Sequence, residues 1–247
     1  MTVDTPKDLE GLRRIGRIVG LTLQEMQRAV RPGLTTRDLD RVGAGFFALH
    51  GARSAPILTY DYPGATCISV NHEAAHGIPD GRVIQPGDIV KIDVSAEAGG
   101  YFADAAITVL VPPVAPLSQA LYDCARAAYA AAAQAARAGA PLNAIGKAAA
   151  GVARQHRFSV ISGLPGHGLG RALHEEPSVP MVFVRRAKKP LAEGLVITIE
   201  PHVAAGRGAL EQEDDGWTLV TRDGSPVAAY EHTLVITQGE PVVVTAV

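Results

Sequence analysis

The chain has 247 residues, 47% of them apolar, and 23 basic against 25 acidic groups for a net charge of −2, enough material for a sizeable core. The balanced charge, with no basic run or basic–aromatic stripe, argues against nucleic acid as a partner. Cys67 and Cys124 form neither a disulfide framework nor a CxxC pair, no apolar run is long enough to span a membrane, and MTVDTPKDLEGLRR lacks the apolar stretch of a signal peptide, so a reducing cytoplasm is expected.

Thr5-Pro6-Lys7-Asp8 predicts a helix start, with Thr5 as cap and Pro6 at the first helical position. Leu12, Ile15, Val19, Leu23 and Met26 then recur at helical spacing until Arg31-Pro32-Gly33 stops the run. A second helix is expected from Thr35, with Leu39, Val42 and Phe46 on one face and Gly51 at its end. Short strands follow around 55–58 and 67–70, then a hairpin of strands at 89–97 and 101–110 around Ala98-Gly99. Beyond Pro112, Pro113 and Pro116 come two Ala-rich helices, 118–138 and 141–156, read as packing elements.

The run from Arg31, RPGLTTRDLDRVGAGFFALH, aligns without gaps on RAGAPLNAIGKAAAGVARQH from Arg137, and GDIVKID ending at Asp93 matches GLVITIE ending at Glu200. This predicts one domain, 1–247, made of two α/β halves at about 1–112 and 113–247 related by a pseudo-two-fold axis. Each half would bring an acid from a matching strand to a shared centre.

Five side chains suit such a centre: Asp93 in VKIDVSAE, Asp104 in YFADAA, His167 in LPGHGLG, Glu200 in ITIEPHV and Glu231 in AYEHTLV. Carboxylates in such apolar, β-branched stretches are costly to bury without a cation or several donors. Four of them carry a charge near −4, which two divalent cations would neutralise. With Ala98-Gly99 as a two-residue loop, Asp93 falls directly opposite Asp104, whereas another register makes them diagonal neighbours. Alternatively, each aspartate is a solvated residue on an exposed strand face. The glycines around His167 do not form a phosphate loop, because the spacing is not GxGxxG and no lysine with Ser or Thr follows. Oxygen ligands with one imidazole suit Mn, Fe, Co or Zn. His72-Glu73-Ala74-Ala75-His76 spells the HExxH of helical zinc proteases, but it follows a strand-like run and is cut off by Gly77-Ile78-Pro79, too short for the helix that chemistry requires.

CISVNHEAAHGIPDGRVIQPGDIVKIDV, GHGLGRALHEEPSVP, ITIEP and DGWTLVTRDGSPVAAYEHTLVIT resemble type I methionine aminopeptidase, of the pita-bread metallopeptidase family M24, over nearly the whole chain. The resemblance implies an α+β pita-bread fold, with pseudo-two-fold related α/β halves around a central curved antiparallel sheet. It implies Asp93, Asp104, His167, Glu200 and Glu231 as ligands of two divalent ions (Co, Mn, Fe or Zn), with Glu200 also taking a proton from a metal-bridging water. His76 and His174 would contact substrate and assist proton transfer, and Tyr62, Cys67, Leu173 and Trp217 would line the pocket for the first side chain. The activity implied is removal of N-terminal methionine from peptides and nascent chains, by a cytoplasmic enzyme taken as a monomer, with ribosome association a further expectation. Several positions depart from the family pattern: Ala105 and Ala106 replace small hydroxyl residues, Leu173 an aromatic one, and Pro56 and Thr59 a Cys and a Tyr. His202 replaces an apolar residue after IEP, and either enters the pocket or is simply hydrogen-bonded. These departures keep an Xaa-Pro or broader aminopeptidase of the same fold as the alternative, followed by an inactive binding protein.

Overall fold

In the computed structural model, which describes residues 1–247, Thr5 caps α1 (Pro6–Ala29) through a reciprocal box. Its hydroxyl accepts the Asp8 N–H at 3.2 Å, and the Asp8 carboxylate accepts the Thr5 N–H at 3.0 Å. The apolar stripe from Leu12 to Met26 is buried, as its spacing requires. α2 (Thr36–His50) is capped by Thr35 and closed by Gly51, whose φ of 65° is the left-handed stop that glycine adopts without strain.

The strand expected around 55–58 is instead a short helix. After β1 (Arg53–Ser54), the Ser54 hydroxyl caps the Ile57 N–H and Pro56 occupies the first turn of α3 (Ala55–Tyr60). A serine cap followed by proline is a local helix-start signal, and it prevails over the apolar run. β2 (Cys67–Val70) and β3 (Glu73–Ala75) follow, then the long hairpin of β4 (Ile89–Ala98) and β5 (Tyr101–Leu110). The hairpin loop is Gly99-Gly100, with φ of 64° and 81°, rather than Ala98-Gly99. Two adjacent positive φ angles are what a type I′ hairpin turn demands. This shifts the register: Asp93 pairs with Ala106 and Asp104 with Ser95, so the two aspartates are diagonal neighbours.

The second half opens with α4 (Pro116–Ala135) and α5 (Asn143–Gln155), both a little shorter than expected. The remaining strands are β6 (Ser159–Val160), β7 (Gly166–Gly168), β8 (Glu175–Val179), β9 (Val196–Ile199), β10 (His202–Ala204), β11 (Leu210–Gln212), β12 (Leu219–Thr221), β13 (Val227–Ala229), β14 (His232–Val235) and β15 (Val242–Val243). They form antiparallel sheets ordered β15-β14-β9-β7-β8, β13-β10-β6 and β11-β12-β3, beside β1-β4-β2 with β5 on β4. One core joins α1 and α2 to the β4–β5 hairpin, and another joins α4 and α5 to β9 and β14.

The aligned segments share backbone detail. Gly33 (φ 89°) donates its N–H to the Ile84 carbonyl, and Gly139 (φ 81°) does the same to Leu191. Ile84 and Leu191 return bonds to Leu34 and Ala140, both at 2.9 Å. Gly87 and Gly194 then take positive φ ahead of β4 and β9, the strands that lead to Asp93 and Glu200.

Candidate metal centre

Each of the five acidic and imidazole residues sits on, or next to, a strand of a sheet packed into one of the cores. Asp93 lies on β4, Asp104 on β5 and His167 in the middle of β7; Glu200 directly follows β9, and Glu231 joins β13 to β14. The β7 glycines exist because strands approach them closely: a Cβ on Gly166 would meet the Thr198 carbonyl oxygen at 2.6 Å, and one on Gly168 the Glu176 carbonyl oxygen at 2.2 Å. Backbone exchange between Glu231 and Ala106 (2.8 and 3.3 Å) docks the Glu231 segment on β5. Thr233 adds a clamp, its hydroxyl accepting the Asp104 N–H at 2.9 Å and donating to the Asp104 carbonyl at 2.7 Å.

These elements bring the side chains together. His167 Nε2 is 3.8 Å from Asp104 Oδ2 and 3.7 Å from Glu200 Oε1, and one ligand atom each of Asp104, His167 and Glu231 lies within 4.8 Å of the others. The Thr198 hydroxyl accepts the His167 N–H at 2.9 Å and donates to Glu200 Oε1 at 2.7 Å, tying the two residues' positions to one another. His167 Nδ1 is 3.0 Å from the Gly168 carbonyl, so Nδ1 carries the proton and Nε2 presents its lone pair to the acids.

Asp104 Oδ1 and Glu231 Oε1 are buried with no hydrogen-bond partner. Bare buried carboxylate oxygens cost free energy that a cation recovers. Burial raises all four acids: Asp93 to about 6, with a hydrogen bond to Asp104 opposing, and Glu200 to about 8, with the Thr198 hydroxyl opposing. Asp104 and Glu231 also rise well above the usual carboxylate range, both through burial first, then Asp104 through the charges of Asp93 and Glu200 and Glu231 through those of Asp104, Glu200 and Asp93. Burial lowers His167 to about 3, leaving it neutral, the form that ligates a metal. The donor set therefore fits divalent metal. Without metal, the folded chain holds protons on Glu200 and Asp93 that the unfolded chain releases near their ordinary values of 4.5 and 3.8. Stability in chelator should thus fall as pH rises from about 5 to about 8. Thermal unfolding with EDTA measures this, saturating manganese should flatten the decline, and a chelated protein whose Tm rises over that range would contradict it.

A cavity of about 780 Å³ opens over these residues. Tyr62, Cys67, His76, Leu173, His174 and Trp217 line it, as do Asp93, Asp104, His167, Glu200 and Glu231. Trp217 meets Tyr62 edge-on, with ring centroids 5.1 Å apart. The Tyr62 hydroxyl donates to the Gly77 carbonyl at 2.7 Å, beside His76, whose φ of 57° turns it off the end of β3. The His174 ring lies 4.1 Å from that of His167. Glu175 holds the loop carrying His174, accepting the N–H groups of Arg171 and Ala172 and pairing with the Met1 ammonium.

His202 does not line the cavity. On β10 between β13 and β6 it is buried, and its Nδ1 lies 2.9 Å from the Glu200 carbonyl, so the hydrogen-bonded reading describes it. The HExxH segment is β3, a strand; Glu73 accepts the Val70 N–H and pairs with Arg82, outside the acidic cluster. Sequence reasoning missed Tyr60, which lines the cavity with its hydroxyl 2.6 Å from His174 Nδ1. Reading the segment as a strand hid it, and the Ser54–Pro56 cap was the available signal. Ser95, the ladder partner of Asp104, also lines the wall unforeseen.

The family model for metallopeptidase family M24 matches residues 10–238. Methionine aminopeptidase 2 of Bacillus subtilis is 44% identical over 247 residues, 99% of this chain and 99% of that protein. A methionine aminopeptidase of Staphylococcus epidermidis is 42% identical over 249 residues, 100% of this chain and 99% of its own length. The crystal structure of a methionine aminopeptidase from Thermotoga maritima superposes with a TM-score of 0.96 at 32% identity, covering 100% of both chains.

Proposed function

The chain belongs to metallopeptidase family M24 and has its pita-bread fold, and from that membership we propose that it is a methionine aminopeptidase of type I, removing the first methionine from peptides and nascent chains. The observation that carries the site is the meeting of Asp104, His167 and Glu231, two of them with unpartnered buried oxygens, beside a cavity with apolar and aromatic walls. Asp93, Asp104, His167, Glu200 and Glu231 would hold two divalent ions, drawn from Co, Mn, Fe and Zn. When bound, the ions neutralise the acids and supply Lewis acidity to the reaction.

The remaining steps belong to the protein's own side chains. Glu200 takes a proton from the attacking water at Oε2, since the Thr198 hydroxyl occupies Oε1. The Tyr60 hydroxyl lies 2.6 Å from His174 Nδ1; with the hydroxyl as donor, the His174 proton is on Nε2, available to the scissile carbonyl oxygen. Burial, and then the proximity of His174, lowers the His76 pKa and keeps its ring neutral, so His76 orients the leaving nitrogen and assists as the proton Glu200 took from the water passes to it. Tyr62, Cys67, Leu173 and Trp217 receive the thioether side chain by burial, which discriminates one methylene by about 1–3 kcal/mol. The repeated turns at Gly33 and Gly139 support two duplicated halves meeting at this centre, and the free, buried Cys67 and Cys124 support a reducing cytoplasm.

The test is digestion of a Met-Ala-Ser peptide and an Xaa-Pro peptide by manganese-loaded protein, with and without chelator. Release of methionine from the first alone, lost in chelator, is expected. Cleavage confined to the Xaa-Pro peptide would overturn the methionine reading, and no cleavage of either would favour a binding protein.

A further inference from the structure

Lys91 is only 3% exposed and stands two residues before Asp93 on β4, so both side chains project from the same face. A buried lysine is ordinarily held by a carboxylate. This one donates instead to two backbone carbonyls, of Asn71 at 3.0 Å and Val227 at 3.1 Å. Burial lowers its pKa to about 7, and the charged and neutral amines both carry enough N–H groups for two carbonyls.

The two carbonyls belong to segments that reach the cavity. Asn71, with a φ of 57°, leads through β3 to His76, and Val227 opens β13, which leads to Glu231. The chain from Val227 to Thr233 crosses the β4–β5 face along a row of pins. Thr108, the ladder partner of Lys91, exchanges hydrogen bonds with Ala229 (2.8 and 2.9 Å); Ala106 exchanges with Glu231, and Asp104 with Thr233. Lys91 is the outermost pin, and its side chain also grips the segment leading to His76, adding to the bonds that Asn71 exchanges with Ile89 of β4 and accepts from the Val227 N–H.

We infer that Lys91 is a positioning residue, whose amino group, between the Asn71 and Val227 carbonyls, sets the approach of His76 and Glu231 to the strand that carries Asp93. The inference rests on the aminopeptidase reading for its kinetic consequence but not for its structural one. Lys91→Met keeps the stem and removes the donors. It should lower kcat about tenfold to a hundredfold with KM within about twofold, because small misplacements of reacting groups act on turnover.

Lys91→Ala leaves a slot that propylammonium fills, replacing the missing three carbons and the nitrogen. Propylammonium should raise the Tm of the metal-free Lys91→Ala protein and restore several-fold of its kcat, with no effect on wild type. Tetramethylammonium, which has no N–H, should do neither. Should Lys91→Ala fold only when refolded with propylammonium, the inference stands. Wild-type kcat in Lys91→Met, or a Lys91→Ala protein whose Tm or refolding ignores propylammonium, would overturn it. Wild type assayed in parallel separates the two readings: an inactive wild type counts against the aminopeptidase, while the Tm and refolding responses still decide the role of Lys91.

Discussion

Glu231→Gln is expected to abolish stable divalent-metal binding and to lower kcat/KM by more than about a hundredfold, since even the outer partners of metal ligands are worth about 10–100-fold. The amide matches the carboxylate in shape but carries no charge and can turn N–H groups toward the place where Oε1 lies buried without a partner. Asp104→Asn should behave alike, because Asp104 Oδ1 is unpartnered too. The metal-free proteins should show the opposite order. Beyond burial, the Asp104 charge raises the Glu231 pKa, and the Asp93 and Glu200 charges raise that of Asp104, so neutralising either residue relieves repulsion that wild type retains. In chelator near pH 8 each variant should therefore unfold at a higher temperature than wild type. With metal the ranking should reverse, because only wild type gains the linkage stabilisation of a bound ligand. Metal content by mass spectrometry and Tm with and without manganese decide it. A Glu231→Gln protein that keeps its full complement of metal would remove Glu231 from the ligand set.

His174→Ala should separate chemistry from metal. It removes a hydrogen-bond donor to the scissile carbonyl oxygen, of the kind worth about 10²–10³-fold in rate, yet takes no carboxylate from the cluster. The His174 ring touches that of His167, with centroids 4.1 Å apart, but the Gly168 carbonyl orients the His167 ring and Thr198 holds its backbone N–H. Metal content should therefore survive while kcat collapses. Parallel loss of metal and turnover would show that His174 belongs to metal binding, and the proposed role at the carbonyl would fall.

Elements with strong local signals formed as their residues dictate. The Thr5–Asp8 box, the stripe from Leu12 to Met26 and the Thr35 cap with Gly51 are satisfied within one helix each, so no distant contact is needed to decide them. The two long strands of the hairpin, and the residues proposed as ligands, were equally visible, since a carboxylate in an apolar strand is conspicuous wherever the strand goes. The region around α3 was not. A six-residue apolar stretch has neither the length nor the periodicity to distinguish helix from strand, and with it the position of Tyr60 was hidden.

The sequence alone determined which groups are candidates for the chemistry and on which kinds of element most of them ride, because composition, capping and alternation are properties of neighbouring residues. Tertiary structure alone decided how those groups face one another. One residue's shift of the turn to Gly99-Gly100 made Asp93 and Asp104 diagonal rather than opposed, and packing on β10 turned His202 back to the Glu200 carbonyl instead of into the cavity. The docking of the Glu231 segment on β5 buries Asp104 Oδ1 and Glu231 Oε1 without donors. Register and side-chain direction come from contacts between residues scores of positions apart, and no local pattern encodes those contacts.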